Sequence, residues 1–459
     1  MNSFSRRTLL KGIAAGAGLA VARPALRPSS RGSSSPEPPG SRTAAGAALR
    51  APGSLPFPNL PPGTDTLPQI EHIVVLMMEN HSFDNYFGTL GRGDGFQLGP
   101  DGLPANTCPD SAGRQVRAYH APDLCQNHGG VSQSWNASHR AYDGGRNDGF
   151  VVASSTQAMS YFIAADLPYY HALARAFPVC DRYFSSVMAK TYPNRRFLMA
   201  GTALGIVDNP TPSPNDPPPP NGTIFDRLEA HGIPWKNYFV DLPTTGLFPY
   251  QLTKYLGRIL PVADFLVDAA LGTLPGFSLI DPEATQASEE SPQDIALGAT
   301  YAATVINAVL SGPAWPRTML VFTYDEGGGY YDHVPPPAAV PPDSVPPAIH
   351  VPPDFPGGYD RYGFRVPAVI ASPWARPNYV SHVVHDHTSI LKLVETKWNL
   401  PALTYRDANA SNLLDSLDLG ASSPPFLRPP ALPAPNISLP NLTCLVPSLL
   451  TPPPPLPYP

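Results

Sequence analysis

The sequence predicts an α/β domain built on a mostly parallel sheet flanked by helices, and three stretches carry that prediction. Ile70–Met78 and Thr318–Tyr324 are apolar runs, as expected for parallel strands covered on both faces. Residues 292–311 (PQDIALGATYAATVINAVLS) read as a helix directly before the second run, and helix followed by buried strand is the α/β order. Arg365–Ala371 reads as a third strand, ahead of a helix over Thr388–Trp398.

The segments around this body differ in composition. At 459 residues the chain has room for one large domain or two ordinary ones. Its 62 prolines crowd into 24–62, 209–220, 335–356 and 424–459. Residues 1–22 read as a targeting segment: Ser5-Arg6-Arg7-Thr8-Leu9-Leu10-Lys11 has the twin-arginine pattern, and Gly12–Ala22 ends in Ala20-Val21-Ala22. That apolar stretch is far shorter than the roughly 20 residues that span a bilayer. The expected route is the twin-arginine export machinery, and the expected location is secreted, periplasmic or at the cell envelope. Residues 23–66, rich in Pro, Ser, Gly and Ala, read as a disordered linker. The folded body is expected over 67–420, and 421–459 as a Pro-rich tail, extended or wrapped along the surface. The net charge of −6, with no basic run beyond the N-terminus, argues against nucleic-acid binding.

Four cysteines, Cys108, Cys125, Cys180 and Cys444, would meet an oxidising compartment. Cys108 with Cys125 would close a short loop and leave Cys180 with Cys444, but spacing alone establishes neither bridge. No CxxC pattern or His/Cys cluster suggests a structural zinc.

Both leading strands run into acidic pairs. The first continues as Glu79-Asn80-His81-Ser82-Phe83-Asp84, the second as Asp325-Glu326-Gly327-Gly328-Gly329-Tyr330-Tyr331-Asp332-His333. Open α/β sheets bind ligands at the carboxyl ends of their strands, and neighbouring carboxylates repel unless a cation or proton holds them together. Either motif alone reads equally well as an acidic surface turn. Together their hard oxygen and amide ligands suit a divalent metal. A third motif, Lys190-Thr191-Tyr192-Pro193-Asn194-Arg195, places a hydroxyl before x-Pro-x-Arg. This resembles the sulfatase layout, but Thr cannot form the aldehyde that Cys or Ser gives there. The Thr191 hydroxyl could instead attack phosphorus, if a metal lowers its pKa. Arg195 would lock the loop or neutralise a phosphate oxygen. On its own the segment is an ordinary helix start with Thr191 as cap.

Four motifs in order, Glu79-Asn80-x-Ser82-Phe83-Asp84, Thr191-x-Pro193-Asn194-Arg195, Asp325-Glu326 with Tyr331–Pro336, and His385-Asp386-His387-Thr388-Ser389-Ile390, resemble a family of bacterial phosphoesterases. It includes phosphatidylcholine-type phospholipases C and a group of acid phosphatases, and the resemblance spans roughly residues 69–405. It implies an alkaline-phosphatase-like α/β core and a metal held by Glu79, Asn80, Thr191, Asp325 and Glu326. Three segments depart from the family pattern: Ser132-Gln133-Ser134-Trp135 stands for D-H-S-W, Glu289-Glu290-Ser291-Pro292 for E-H-P-P, and Asp325–Gly329 for D-E-H-G-G. Family histidines are therefore missing at Gln133, Glu290 and Gly327. His139 keeps the H-x-A-W/Y pattern. His333 and His387 lie in motif segments and are expected to line the site, whereas His72, inside a strand, is expected to make a structural hydrogen bond.

The expected reaction is hydrolysis of phosphate esters, of the phosphodiester or phospholipase C type, through a phospho-threonine on Thr191. His139 or His387 would act as general acid, and Arg195 and His333 would bind substrate. One divalent metal is expected, with a second, completed by Asp386 and His387, as the lesser variant. A phospholipid substrate would call for an apolar rim, which Tyr330-Tyr331 and 335–356 could supply. The alternatives are an acid phosphatase using the same site and, less favoured, a non-catalytic surface binding protein.

Overall fold

The computed structural model of the protein describes residues 48–436 and Cys444. The central sheet has eight strands: β1 His72–Met78, β2 Val179–Cys180, β3 Trp235–Phe239, β4 Ile259–Pro261, β5 Phe277–Ile280, β6 Thr318–Tyr324, β7 Ala368–Ala371 and β8 Val380–Ser381. Their order is β8-β2-β7-β6-β1-β5-β3-β4. β1 lies inside the sheet, with Val75 opposite Val321 of β6 and Leu279 of β5, both pairings parallel. The predicted third strand is present as β7, but it runs antiparallel to β6 and β2. Apolar patterning marks a buried strand without giving its direction, so the fold is α/β with one reversed strand.

Five helices matter for the site: α1 Phe83–Phe87, α2 Trp135–Tyr142, α3 Thr191–Ala200, α4 Ile295–Ser311 and α5 His387–Trp398. α4 is the helix expected before β6. Its Asp294 side chain caps the N-terminus by accepting from Ala296 N, and it buries a helical-period stripe of Ile295, Ala299, Ala302, Ile306 and Val309. α5 is buried along its whole length and packs against α3.

Two expectations about the periphery need correction. Residues 48–66 are not a disordered linker. They form a strap over the C-terminal end of α5, with Gly63 N donating to Trp398 O, Thr66 N to Lys397 O and Gly53 N to Ala402 O. Asn399 fastens the strap with all its side-chain polar atoms, accepting from Phe57 N and donating to Phe57 O, Leu60 O and Pro61 O. Composition favoured disorder here, but backbone hydrogen bonds do not depend on side-chain type. The disulfide is Cys125–Cys444, while Cys108 and Cys180 are free and buried. Residues 1–47, with the targeting segment, lie outside the described residues. Of the tail, residues 421–436 lie against the body: Trp315 donates to Phe426 O, and Asn436 donates to Ala165 O and Asp166 O. Among the described residues no helix is long and apolar enough to cross a membrane.

Candidate active site

The carboxyl ends of β1, β5 and β6 deliver Glu79, Asp281 and Asp325 to one place, and Arg195 joins them. From α3 its Nε donates to Asp325 Oδ2 at 3.1 Å, its Nη1 to Asp281 Oδ1 at 3.1 Å and its Nη2 to Glu79 Oε1 at 3.2 Å. Thr244 Oγ1 and the carbonyls of Met77 and Met78 take further bonds from the same guanidinium. Burial alone would lower the Arg195 pKa; the surrounding carboxylates, Asp325 foremost, hold it above its usual value. Of the two roles foreseen for Arg195, locking the local structure is the one its contacts describe.

The segment before α3 explains why Thr191 is presented here. Asn194 accepts from Val187 N and donates to the carbonyls of Val187, Ala189 and Lys190, which pins the approach to the helix. Lys190 occupies the cap position and Thr191 is the first helical residue, so Thr191 is not the N-cap. Thr191 lines a cavity of about 230 Å³ together with Glu79, Arg195, Asp281 and Glu290. The start of a helix favours an anion there.

Asn80 and Glu326 stand beside this cluster. Asn80 takes a left-handed backbone, and its N–H donates to Asp325 Oδ1 at 3.2 Å. Gly328 lies so near that a Cβ there would come within 2.0 Å of Asn80 O, so glycine is required for the two strand-end loops to meet. Burial pushes the Glu79 and Glu326 carboxyls well up; Asp325 and Glu290 push further in both, while Arg195 opposes the shift in Glu79. Glu290 is raised by burial and by Asp325. The Asn80 side chain tests whether a cation suits this cluster. With its nitrogen toward the carboxylates it donates to Glu326 Oε1 at 2.6 Å and Asp325 Oδ1 at 3.3 Å. With its oxygen there, three oxygens converge with no proton between them, an arrangement a hard divalent cation satisfies. As the side chains stand, no group of three or more His, Cys, Asp or Glu among the described residues is arranged to hold a metal ion. The donor chemistry fits, and the repulsion among the carboxylates favours a cation.

The histidines foreseen at the site do not face its cavity. His139, on α2, packs against Trp135, their ring centroids 4.0 Å apart and the planes tilted by 33°, with its Nδ1 on Trp135 O at 2.8 Å. His387 is fully buried, and its Nε2 meets Asp325 O at 2.6 Å; it positions the acidic loop from behind. Burial lowers the pKa of both rings. Neither lines the cavity, and nor does His333. Asp386 caps α5 and accepts from Ser186 Oγ at 2.8 Å, so it is engaged structurally. His72 makes the expected structural contact, Nδ1 to Pro275 O at 3.0 Å.

His333 belongs to a second buried hub. Arg365 donates to Asp332 Oδ1 at 2.8 Å and Asp84 Oδ1 at 3.0 Å, and His333 Nδ1 meets Asp84 Oδ2 at 2.6 Å. Burial works against charge on His333, but the hydrogen bond and charge of Asp84 outweigh it and raise its pKa above 6.5. A raised histidine pKa stabilises the fold fully below the unfolded value and loses that contribution as pH climbs through the folded one. His333→Gln should therefore be most destabilising, relative to wild type, below pH 6.5, with the gap closing in alkali. Urea midpoints at pH 5.5 and 9 measure this, and an equal gap at both would refute it.

Asp281 and Glu290 were not foreseen as site residues. Asp281 follows an apolar strand, as Glu79 and Asp325 do, but β5 is four residues long and passes unnoticed as a pattern. Glu290 is held by its neighbour: Glu289 is buried, has φ 77°, and accepts from the hydroxyls of Tyr86, Tyr170 and Tyr324 at 2.7, 2.5 and 2.7 Å. Burial pushes the Glu289 carboxyl up to about 7 against these three hydrogen bonds.

Residues 70–401 match the phosphoesterase family over most of the chain. The chain belongs to that family. It is 31% identical over 435 residues to phospholipase C A of Mycobacterium tuberculosis, covering 83% of this chain and 82% of that protein. It is 32% identical over 373 residues to non-specific phospholipase C1 of Arabidopsis thaliana, covering 74% and 69%. A solved protein of the alkaline phosphatase superfamily from Vibrio parahaemolyticus aligns over 81% of this chain and 73% of that one, at 11% identity and TM-score 0.41. This phosphoesterase is a hydrolase acting on phosphoric ester bonds, which sets aside a non-catalytic binding protein.

Proposed function

We propose that this phosphoesterase is an exported, metal-dependent phosphodiesterase of the phospholipase C type that works through a phospho-threonine on Thr191. The observation that carries the reading is the position of Thr191, at the start of a helix and in one cavity with Glu79 and Arg195. Glu79, Asn80, Thr191, Asp325 and Glu326 would hold the metal, which when bound supplies Lewis-acid stabilisation of phosphate charge and a lower hydroxyl pKa. Arg195 keeps Glu79, Asp281 and Asp325 in place, so their geometry need not reorganise during reaction. Thr191 Oγ attacks phosphorus and gives up its proton, one alcohol leaves carrying a proton, and water then cleaves the Thr191–phosphorus ester to release a phosphomonoester and restore the hydroxyl. A diester is favoured over a monoester because Glu79 and Glu290 border the cavity and oppose the second negative charge of a monoester. The similarity to phospholipases C supports the same substrate class.

The test is a panel of phosphodiesters, phosphomonoesters and phosphatidylcholine, assayed with purified protein before and after chelation. Hydrolysis of diesters that stops on chelation and returns with a divalent metal is expected. Undiminished turnover in a metal-free preparation would refute the metal's role, and monoester preference would favour the acid phosphatase. Export is proposed on Arg6 and Arg7, and an Arg6→Lys/Arg7→Lys precursor that still leaves the cell would refute the twin-arginine route.

A further inference from the structure

Glu290 stands at the cavity where the reacting phosphate would sit, and among the acidic residues lining that cavity it is the one that Arg195 does not bind. Asp281 is bound by Arg195, Asn237 and Thr244 and is 2% exposed. Glu79 is tied to Arg195. Glu290 is only partly buried; Gln133 donates to its Oε1 at 3.3 Å, and the Asn80 side chain is a further hydrogen-bond partner. Its placement is built in, because the preceding Glu289 is fixed by three tyrosine hydroxyls. We propose that Glu290 selects the head group of the substrate, and that it selects a phosphodiester carrying a primary ammonium. The proposal deepens the phosphodiesterase reading and rests on it.

Size, charge and lining point the same way. The cavity of about 230 Å³ falls below the roughly 300–1,000 Å³ of pockets that enclose drug-sized ligands. It therefore suits a small head group and leaves the bulky diacylglycerol outside. Leu242, Pro243 and Leu247 form an apolar wall that shields a charge pair from water. A quaternary ammonium is usually boxed by several aromatic faces, yet Tyr192 is the single aromatic ring among the described residues lining this cavity. A primary ammonium instead brings three N–H donors, for which the Glu290 carboxylate and the Thr211 hydroxyl offer acceptors.

The experiment compares short-chain phosphatidylethanolamine, phosphatidylcholine and phosphatidylglycerol on the metal-loaded enzyme, reading diacylglycerol release. Wild type should favour the ethanolamine diester over the glycerol diester by about tenfold or more in kcat/KM, and Glu290→Gln should bring the ratio close to one. Calorimetry with the diesters glycerophosphoethanolamine and glycerophosphoglycerol should show the same preference in binding, lost in Glu290→Gln. Equal affinities in wild type would overturn the proposal whether or not any diester is hydrolysed. Selective binding without diester hydrolysis would instead sink the phosphodiesterase reading and leave Glu290 as the head-group reader. Metal content of Glu290→Gln should equal wild type; loss of bound metal together with selectivity would reassign Glu290 to a cation site and overturn the proposal.

Discussion

Thr191→Val should leave the fold intact and reduce turnover by on the order of 10⁴ or more, the scale seen when a covalent nucleophile is removed. The two side chains are nearly equal in shape, and Thr191 does not cap its helix, so the loss would report chemistry and not folding. Thr191→Ser should keep much of the activity because it supplies the same oxygen. Rapid quenching with a labelled phosphodiester should trap phosphate on the peptide containing Thr191. A Thr191→Val enzyme near the wild-type rate, with no labelled intermediate, would leave direct attack by water as the mechanism.

Arg195→Met should produce the largest loss of stability of any single change at the site. It leaves Glu79, Asp281 and Asp325 without their shared counter-charge, and breaking a buried ion pair typically costs about 3–5 kcal/mol. Arg195→Lys should rescue only part of this, because an ammonium cannot reach three carboxylates in the directions that Nε, Nη1 and Nη2 reach them. Urea denaturation of metal-free protein provides the measurement. An Arg195→Met protein within about 1 kcal/mol of wild type, the scale of an exposed pair, would show that the guanidinium does not hold the strand ends together.

These two residues also mark what the sequence made legible. β1 and β6 were readable because their apolar runs each end in acidic residues, and the same rule brought out Glu79 and Asp325. The partner that holds them, Arg195, sits in a motif more than a hundred residues away from each, and its pairing with Asp281 has no local sign. Helix α4 was recognisable from periodicity, whereas the two-residue strands β2 and β8 are too short to show any. The histidines were harder because a motif gives proximity along the chain and not the direction of a ring: His387 approaches Asp325 through its backbone carbonyl, and His139 turns onto Trp135. Cysteine spacing favoured a short loop, but the bridge spans 319 residues.

That bridge gives the molecule a topology that its linear sequence does not suggest. Cys125 and Cys444 close residues between them into a covalent ring, and Thr191, Arg195, Asp281, Glu290, Asp325 and Glu326 all lie on it. Glu79 and Asn80 lie on an open arm outside the ring, and that arm inserts β1 between two strands belonging to the ring. A protease that nicks the proline-rich loop 335–356 therefore opens the ring but leaves both pieces covalently joined through the sulfurs. A cut between Asn80 and Cys125 severs the arm from the ring and leaves the two halves of the site joined by noncovalent contacts alone.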